Sequence, residues 1–243
     1  MTNHVAGPKR TKPLYDIFTD VPRRYDLVNH VITLGFDWRW RRQAARVCLD
    51  SSPDNVLDLC CGTGDLVMNI AGMADGDLKL TGVDYSQPML DIAAAKARQL
   101  TEGRKISFVD GEAADLPFDN GSFDCIGISF AFRNLTYKNP LAQSHLAEIF
   151  RVLRDGGRFV IIETSQPKSW LLRNLFHIYL GYFASPVGGL LSGNGQAYRY
   201  LAESATRFYN PTELKELLLT AGFCQVGYRP LLMGAVAINV AVK

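Results

Sequence analysis

The sequence of 243 residues lacks the features that define several classes of protein. Its charges nearly cancel, with 26 Lys and Arg against 24 Asp and Glu and a net charge of +2. General nucleic-acid binders usually carry a larger basic excess, so nucleic acid is not an expected partner. No uncharged apolar run reaches the roughly 18 residues of a membrane-spanning helix. The polar start, MTNHVAGPKRTK, has no apolar core and is not expected to be a signal peptide.

Cysteine pairs with the spacing of zinc ribbons or redox dithiols are also missing. The five cysteines are Cys48, Cys60, Cys61, Cys125 and Cys224, and no Cys-x-x-Cys occurs among them. Adjacent cysteines rarely bridge each other, so the pattern favours buried thiols in a reducing compartment. We therefore expect a cytoplasmic protein without a metal site.

Short apolar runs alternate with helical patterns along most of the chain. This alternation predicts an α/β fold with a parallel, doubly wound sheet. The chain begins with a predicted polar tail (1–13) and short helices (14–50). Five predicted strands follow at 55–60, 78–83, 106–109, 123–130 and 158–163, with helices between them at 65–74, 87–101 and 140–153. An apolar aromatic insertion (166–200), a helix capped by Asn210 and two strands near 223–229 and 233–242 complete the prediction.

A glycine-rich loop, Gly62-Thr63-Gly64, follows the first predicted strand. Parallel sheets bind ligands at such strand ends, and glycine lets a ligand lie against bare backbone. A dinucleotide-binding loop would have a third glycine where this chain has Val67. Acidic Asp58 and Asp65 favour a cationic ligand over a diphosphate, and S-adenosylmethionine carries both a sulfonium and an ammonium group. A tight turn without a ligand is the alternative.

Acidic residues also follow the second and third predicted strands. Asp84 ends the second strand, where a carboxylate can accept hydrogen bonds from both ribose hydroxyls of a nucleoside. NAD would use the same acid, so Asp84 alone does not separate the two cofactors. The missing third glycine and the acidic loop are what favour S-adenosylmethionine over NAD. Glu112 and Ala113 follow the third strand and could cradle an adenine. A helix-capping aspartate and a plain surface loop are the alternatives.

Five segments together resemble one known family. They are Tyr25–Asn29 with Gly35 and Trp40–Arg42, VLDLCCGTGDL at 56–66, GEAADLPFDNGSFDCIGISFAFRN at 111–134, RVLRDGGRFVIIETSQP at 151–167, and YRYLAES at 198–204. They are similar to the ubiquinone/menaquinone biosynthesis C-methyltransferases, which are class I methyltransferases dependent on S-adenosylmethionine. The similarity covers the chain from about residue 14.

The resemblance implies a Rossmann-like α/β fold with a seven-stranded, mostly parallel sheet whose last strand is antiparallel. Residues 1–50 would form a tail and an N-terminal helical cap of the same domain. Residues 51–243 would form the methyltransferase domain, with a helical insertion after strand five at about 166–200. The cofactor contacts would fall on Asp58, Gly62, Thr63, Gly64, Asp84, Glu112, Ala113 and Ser129.

Two departures from the family pattern concern the cofactor. Relatives usually have Asn-Ala where this chain has Glu112 and Ala113, and an ionised glutamate cannot donate a hydrogen bond to an adenine nitrogen. The loop reads Leu-Cys-Cys-Gly where relatives often have Ala-Gly-Gly. Cysteine is small, so we expect the loop to keep its shape.

The family reaction would methylate a ring carbon of a polyprenylated quinol and release S-adenosylhomocysteine without a metal. The ring carbon becomes nucleophilic when a neighbouring hydroxyl loses its proton, so the protein must align the partners and favour the quinolate. The resemblance gives catalytic roles to Arg133, Tyr25 and Asp26. It gives substrate contacts to Asn29, Asn134, Tyr198 and Tyr200.

Each of these roles has a structural alternative. Arg133 could form an ion pair with an N-terminal acid, Tyr25 and Asp26 could serve helix capping and packing, and Tyr198 and Tyr200 could serve packing alone. An acceptor other than a quinol, either a small aromatic compound or a lipid, is the nearest alternative function. A non-catalytic subunit of a quinone-synthesising assembly is the other, which the presence of Thr63, Asp84 and Arg133 disfavours.

The insertion contains a segment, Trp170–Phe183, that is apolar on most helix faces and must be covered. A polyprenyl tail, the inner face of the membrane, or a second copy in a homodimer would each cover it, as would packing within the domain. Arg39, Arg41, Arg42 and the basic tail could touch anionic headgroups, or could form a solvated basic face. Peripheral membrane contact and a homodimer are therefore predicted partners beside the quinol.

Overall fold

A computed structural model describes residues 22–99 and 105–243, with side chains from residue 26 onward. The predicted polar tail and the start of the helical cap lie outside the described residues. The helices are α1 (Pro22–Ile32), α2 (Phe36–Leu49), α3 (Asp65–Ala71), α4 (Gln87–Ala97), α5 (Phe132–Thr136), α6 (Ala142–Val152), α7 (Trp170–Tyr179), α8 (Ser185–Ser192), α9 (Gly195–Thr206) and α10 (Pro211–Thr220). The strands are β1 (Asn55–Leu59), β2 (Lys79–Asp84), β3 (Ile106–Asp110), β4 (Phe123–Ser129), β5 (Leu153–Thr164), β6 (Gln225–Leu231) and β7 (Val236–Val242).

The seven strands form one sheet in the order β3-β2-β1-β4-β5-β7-β6. The pairs among β1 to β5 are parallel, and β7 runs antiparallel to both β5 and β6. This confirms the predicted Rossmann-like sheet with an antiparallel last strand. The strand order reverses between β1 and β4, where open α/β sheets bind ligands beyond the carboxyl ends of the strands.

Strands β1 and β4 are the centre of the sheet and are buried on both faces. Their apolar runs leave no face for solvent, as is expected for parallel strands covered by helices. Residues Leu57, Leu59 and Phe132 pack on one side with α6 and α10, and Val56 packs on the other with α2 and α3. The rigid sheet therefore fixes the position of every loop at its carboxyl edge.

Strands β5 and β7 begin well away from their predicted starts, whereas the other strands begin within two residues of theirs. Strand β5 begins at Leu153 rather than at residue 158, because Leu153 already pairs with Phe123 before a register shift. Gly156, at a φ of 72°, lies within this irregular part of the strand rather than in a loop. Strand β7 begins at Val236, because Leu232–Gly234 forms a 3₁₀ turn instead of extending the strand.

The insertion after β5 forms α7, α8 and α9, joined by a π-helical turn at Leu180–Ala184. A third apolar cluster joins this layer to α1 through Val28, Ile32, Ala184 and Tyr198. α1 and the insertion helices thus pack against each other. The division of the chain into a cap (1–50) and a methyltransferase domain (51–243) stays a prediction. All five cysteines, which lie within the described residues, are free thiols.

Candidate active site

The glycine loop after β1 is held against the end of β2 by backbone and side-chain hydrogen bonds. The Cys61 amide donates to the carbonyl of Val83 at 2.9 Å, and the Gly62 amide donates to Oδ2 of Asp84 at 2.9 Å. Gly62 and Gly64 have φ angles of 53° and 83°, which favour glycine. A Cβ on Gly64 would also press on Ala93 and Met68 at 3.1 Å. The loop is therefore shaped by these contacts at the ligand-binding edge of the sheet.

Asp58 is a buried carboxylate beneath this loop. Its Oδ2 accepts a hydrogen bond from the Val67 amide at 3.0 Å, and its Oδ1 is buried without a partner among the described residues. The pKa of Asp58 is raised to about 8, chiefly by burial; the Val67 amide and Arg41 oppose the rise, and the nearby carboxylates of Asp84 and Asp65 add to it. A cationic ligand beside Oδ1 would favour the ionised form, so the residues present fit S-adenosylmethionine.

Three further predicted cofactor residues follow the neighbouring strands. Asp84 is buried and accepts the amides of Gly62 and Ser86, while burial raises its pKa above the ordinary value. Ala113 is buried after β3, and Glu112 forms an isolated backbone bridge with Asp115. Asp84 therefore lies at the carboxyl edge of the sheet, and its ribose contact, like the adenine contact of Glu112, stays a prediction.

Asp26 of α1 contacts the glycine loop rather than the cavity described below. Its Oδ1 accepts a hydrogen bond from the Thr63 hydroxyl at 2.7 Å, and its Oδ2 pairs with Nζ of Lys96 at 2.6 Å. The same ammonium pairs with Asp65 at 2.8 Å, so α1, α3 and α4 meet at one cation. The predicted catalytic role of Asp26 is untested, but these contacts make it a link between α1 and the loop.

A cavity of about 390 Å³ lies between α1, α2, the ends of β4 and β5, and the insertion helices. Its size is within the range of small-molecule sites, and its walls are mainly apolar. The exposed side chains of Leu34 and Met233 belong to its lining, so the cavity reaches the surface. The lining includes five of the predicted catalytic and substrate residues: Asn29, Arg133, Asn134, Tyr198 and Tyr200.

The other predicted catalytic residues do not join them. Asp26 is absent from the described lining, and the side chain of Tyr25 lies outside the part of the chain that the structure describes. Asp37, which the sequence prediction missed, lines the cavity, and so does Arg41, which was predicted to touch anionic headgroups but is buried. They are four residues apart on α2, and this spacing is the signal that could have paired them.

Arg133 forms a buried ion pair with Glu163 at the end of β5. Nη1 of Arg133 lies 2.8 Å from Oε1 of Glu163, and the Arg133 amide donates to Oε2 at 3.1 Å. The two side chains are only 6% and 0% exposed. The partner of Arg133 is thus a strand residue and not the N-terminal acid of the structural alternative. Nε of Arg133 is buried without a hydrogen-bond partner in the described structure, while the residue itself lines the cavity.

Arg41 connects the cavity to the glycine loop. Its Nη1 lies 2.6 Å from Oδ2 of Asp37 and 3.6 Å from Oδ2 of Asp65, which directly follows Gly64. Its Nε donates to the Ser129 hydroxyl at 3.2 Å, and the guanidinium lies over the ring of Phe130. The predicted cofactor residue Ser129 therefore lies at the boundary between the loop and the cavity.

The packing of α8 on α9 fixes Tyr198 and yields a prediction. A Cβ on Gly188 would lie inside the ring of Tyr198, whereas a Cβ on Gly181 would meet nothing within 4 Å. We expect Gly188→Ala to lower the free energy of unfolding by about 1–3 kcal/mol through overpacking and to raise KM for the acceptor. Thermal unfolding and steady-state kinetics measure both effects. Gly181→Ala is the control, and equal behaviour of the two variants would contradict the packing of Tyr198.

Two solved structures of methyltransferases share this fold. A SAM-dependent methyltransferase from Thermotoga maritima superposes with a TM-score of 0.61 at 20% identity, over 94% of this chain and 99% of that one. One from Aquifex aeolicus gives a TM-score of 0.54 at 19% identity, over 77% and 80% of the two chains. The fold is that of the class I, Rossmann-like methyltransferases.

Sequence comparison narrows the class to one family. The profile of the ubiE/COQ5 methyltransferase family matches residues 6–243, and the chain belongs to this family. The demethylmenaquinone methyltransferase of Thermus thermophilus is 39% identical over 92% of this chain and 98% of its own. The ubiquinone/menaquinone biosynthesis C-methyltransferase UbiE of Pseudomonas syringae is 30% identical over 99% and 92%. The family resemblance identified from the motifs is thereby confirmed.

Proposed function

We propose that this protein methylates a ring carbon of a polyprenylated quinol in menaquinone or ubiquinone biosynthesis, with S-adenosylmethionine as the methyl donor. The observation that carries the proposal is the position of the cavity. Residues predicted to contact the quinol line it, and Arg41 joins it to Asp65 of the cofactor loop. Family membership and the names of the relatives support the same reaction.

The loop residues would hold the cofactor by charge and by bare backbone. Asp84 would accept the ribose hydroxyls, Thr63 and the two loop glycines would bound the methionine part, and Asp58 would face its positive groups. S-adenosylmethionine, when bound, supplies an electrophilic methyl group. Among the described residues, no group of three or more His, Cys, Asp or Glu is placed to hold a metal, and metal-free chemistry stays an expectation.

The cavity residues would bind and orient the ring. Arg133 would stabilise the negative charge that develops on a ring oxygen, because it lines the cavity and its cation is fixed there by Glu163. The mainly apolar walls would exclude water, which strengthens this interaction. Asn29, Asn134, Tyr198 and Tyr200 would bound the ring and define its orientation.

Methyl transfer to two acceptors, tested side by side, examines the proposal. Purified protein is incubated with methyl-labelled S-adenosylmethionine and either reduced demethylmenaquinone or the reduced 2-polyprenyl-6-methoxy-1,4-benzoquinone. We expect label in a ring C-methyl group of at least one acceptor. Both rings need the same donor and similar activation, so the ratio of the two rates defines the physiological substrate. Failure to label either ring would contradict the proposed function.

The exposed apolar face of α7 supports a peripheral contact with a membrane. Leu172 and Phe176 line the cavity, whereas Leu175 and Ile178 of the same helix are each 54% exposed. Basic Arg173 and Lys168 are exposed nearby and suit anionic headgroups. No described helix is both long and apolar enough to cross a membrane. A polyprenylated substrate could therefore pass from the bilayer surface to the cavity, and homodimer formation through this face is the competing arrangement.

We expect Leu175→Glu with Ile178→Glu to abolish binding to vesicles that contain anionic lipid. Each buried aliphatic side chain contributes about 1.5–3 kcal/mol, and the two new charges oppose insertion. Vesicle co-sedimentation measures the bound fraction, and Leu219→Glu on α10, which is also exposed, is the matched control. Unchanged vesicle binding of the double variant would contradict the contact, and a loss of dimer in light scattering would favour the homodimer.

A further inference from the structure

Methylation of a quinol ring releases one proton, and the described cavity holds one carboxylate that could take part in its transfer. Among the described lining residues, Asp37 is the only Asp or Glu. Asp26, for which the sequence predicted a catalytic role, is engaged by Thr63 and Lys96. Glu163 is absent from the described lining and is bound by Arg133.

Asp37 lies at the end of the cavity that adjoins the cofactor loop. Its Oδ2 accepts a hydrogen bond from Arg41, whose same nitrogen is 3.6 Å from Asp65. Its Oδ1 contacts Nδ1 of His30 at 3.1 Å and accepts the Thr33 hydroxyl at 3.0 Å. These contacts use three of about four lone-pair positions of a carboxylate, so Oδ2 keeps room for one more donor.

We propose that Asp37 is the general base that accepts the proton of the quinol hydroxyl during methyl transfer. The inference rests on the proposed function and adds a catalytic residue to it. His30, whose side chain is 61% exposed, contacts the same carboxylate and links it to solvent. Asp37 is buried, so a donor inside the cavity meets it away from bulk water.

The balance of the step is as follows. The ring hydroxyl gives its proton to Oδ2 of Asp37, the ring carbon bonds to the methyl group, and the methyl–sulfur bond breaks with its electron pair left on sulfur. The methylated ring is then a neutral dienone. Its ring carbon loses a hydrogen to water as a proton, and the carbonyl oxygen takes back the proton from Asp37. The sum is a methylated quinol, S-adenosylhomocysteine and one proton.

Charged neighbours keep Asp37 in its ionised form. Burial alone would raise the pKa of Asp37, but Arg41 and the hydrogen bonds from Thr33, Arg41 and His30 lower it below the ordinary value. A carboxylate of low basicity suffices if proton and methyl transfer are concerted. As the carbon–carbon bond forms, the hydroxyl becomes the conjugate acid of a ketone, which is far more acidic than a carboxylic acid.

Asp37→Asn tests the proposal, because an amide keeps the shape and cannot take the proton. We expect turnover with reduced demethylmenaquinone to fall by about 10²-fold or more. The residual rate should then rise about tenfold per pH unit up to the pKa of the hydroxyl itself, while wild type is level above neutral pH. The titratable and charged groups that contact the Asp37 carboxylate are His30 of α1 and Arg41 of α2. Asp65 of α3 shares Arg41 with it, Arg133 of α5 lines the same cavity, and all four are unchanged in the variant.

A second readout does not depend on turnover. Reduced 2-methyl-1,4-naphthoquinone, which is already methylated, should bind about tenfold more weakly to Asp37→Asn, because a charge-assisted hydrogen bond is lost. Asp50→Asn at the C-terminal end of the same helix is the matched control and should change neither measurement. Binding of S-adenosylhomocysteine reports that the variant is folded.

If the pH profile of Asp37→Asn parallels that of wild type, whatever the size of its turnover rate, the proposal is overturned and Asp37 has a structural role. Unchanged binding of the methylated naphthoquinol would also overturn it. Wild type that methylates neither quinol would instead refute the proposed function. The two failures are therefore distinguishable within one set of assays.

Discussion

Arg133→Ala is expected to lower the free energy of unfolding by about 3–5 kcal/mol. The substitution leaves the carboxylate of Glu163 buried without its cation, and an uncompensated buried charge is strongly destabilising. The double variant Arg133→Ala with Glu163→Ala removes both charges and should regain a large part of the loss. Denaturant unfolding of the two single variants and the double variant measures the coupling. Additive effects would contradict the ion pair.

Arg133→Lys separates the structural from the catalytic part of this residue. Lysine keeps the positive charge beside Glu163 but lacks the planar fork that can serve Glu163 and a ring oxygen together. We expect a folded protein whose turnover is reduced by about 10²-fold, in line with the loss of an oxyanion donor. S-adenosylhomocysteine affinity should stay nearly constant. Normal turnover of Arg133→Lys would show that a positive charge at this position is sufficient for catalysis.

Asp84→Ala is expected to weaken S-adenosylmethionine binding by about 1.5–3 kcal/mol. A charge-assisted hydrogen bond to the ribose is lost, and the Gly62 and Ser86 amides lose their acceptor. Isothermal titration calorimetry with S-adenosylhomocysteine measures the change. Asp110→Ala is the matched control. Asp110 lies beside Asp84 in the register of the neighbouring strand β3, and it is exposed. Equal affinities of the two variants would remove Asp84 from the cofactor site.

Features that depend on neighbouring residues were predictable from the sequence. The β1 run, the glycine loop and Asp84 form a local pattern, because a buried strand, a left-handed turn and a strand-end acid each have a characteristic residue type. The Asn210 cap was predicted for the same reason, and the structure contains both hydrogen bonds of its capping box with Glu213.

Features that depend on distant residues were not predictable in this way. Lys96 meets Asp26 across 70 positions of the chain, and Arg133 meets Glu163 across 30. No local pattern encodes such pairs, because they form only when the sheet brings separate loops to one edge. Glu163 had one signal, since a charged residue that ends the apolar run FVII requires a cation if it is buried. Asp37 became a candidate only when the structure showed that it lines the cavity and that Asp26 does not.

Single-turnover methyl transfer with a reduced and an oxidised acceptor tests the proposed chemistry most directly. Enzyme in excess, loaded with methyl-labelled S-adenosylmethionine, is mixed with demethylmenaquinone that is either reduced by dithionite or kept oxidised by air. A ring carbon attacks only when a hydroxyl oxygen feeds electrons into the ring, so we expect rapid ring methylation of the quinol and none of the quinone. Equal rates with the two forms would contradict a nucleophilic ring carbon and, with it, the roles proposed for Arg133 and Asp37.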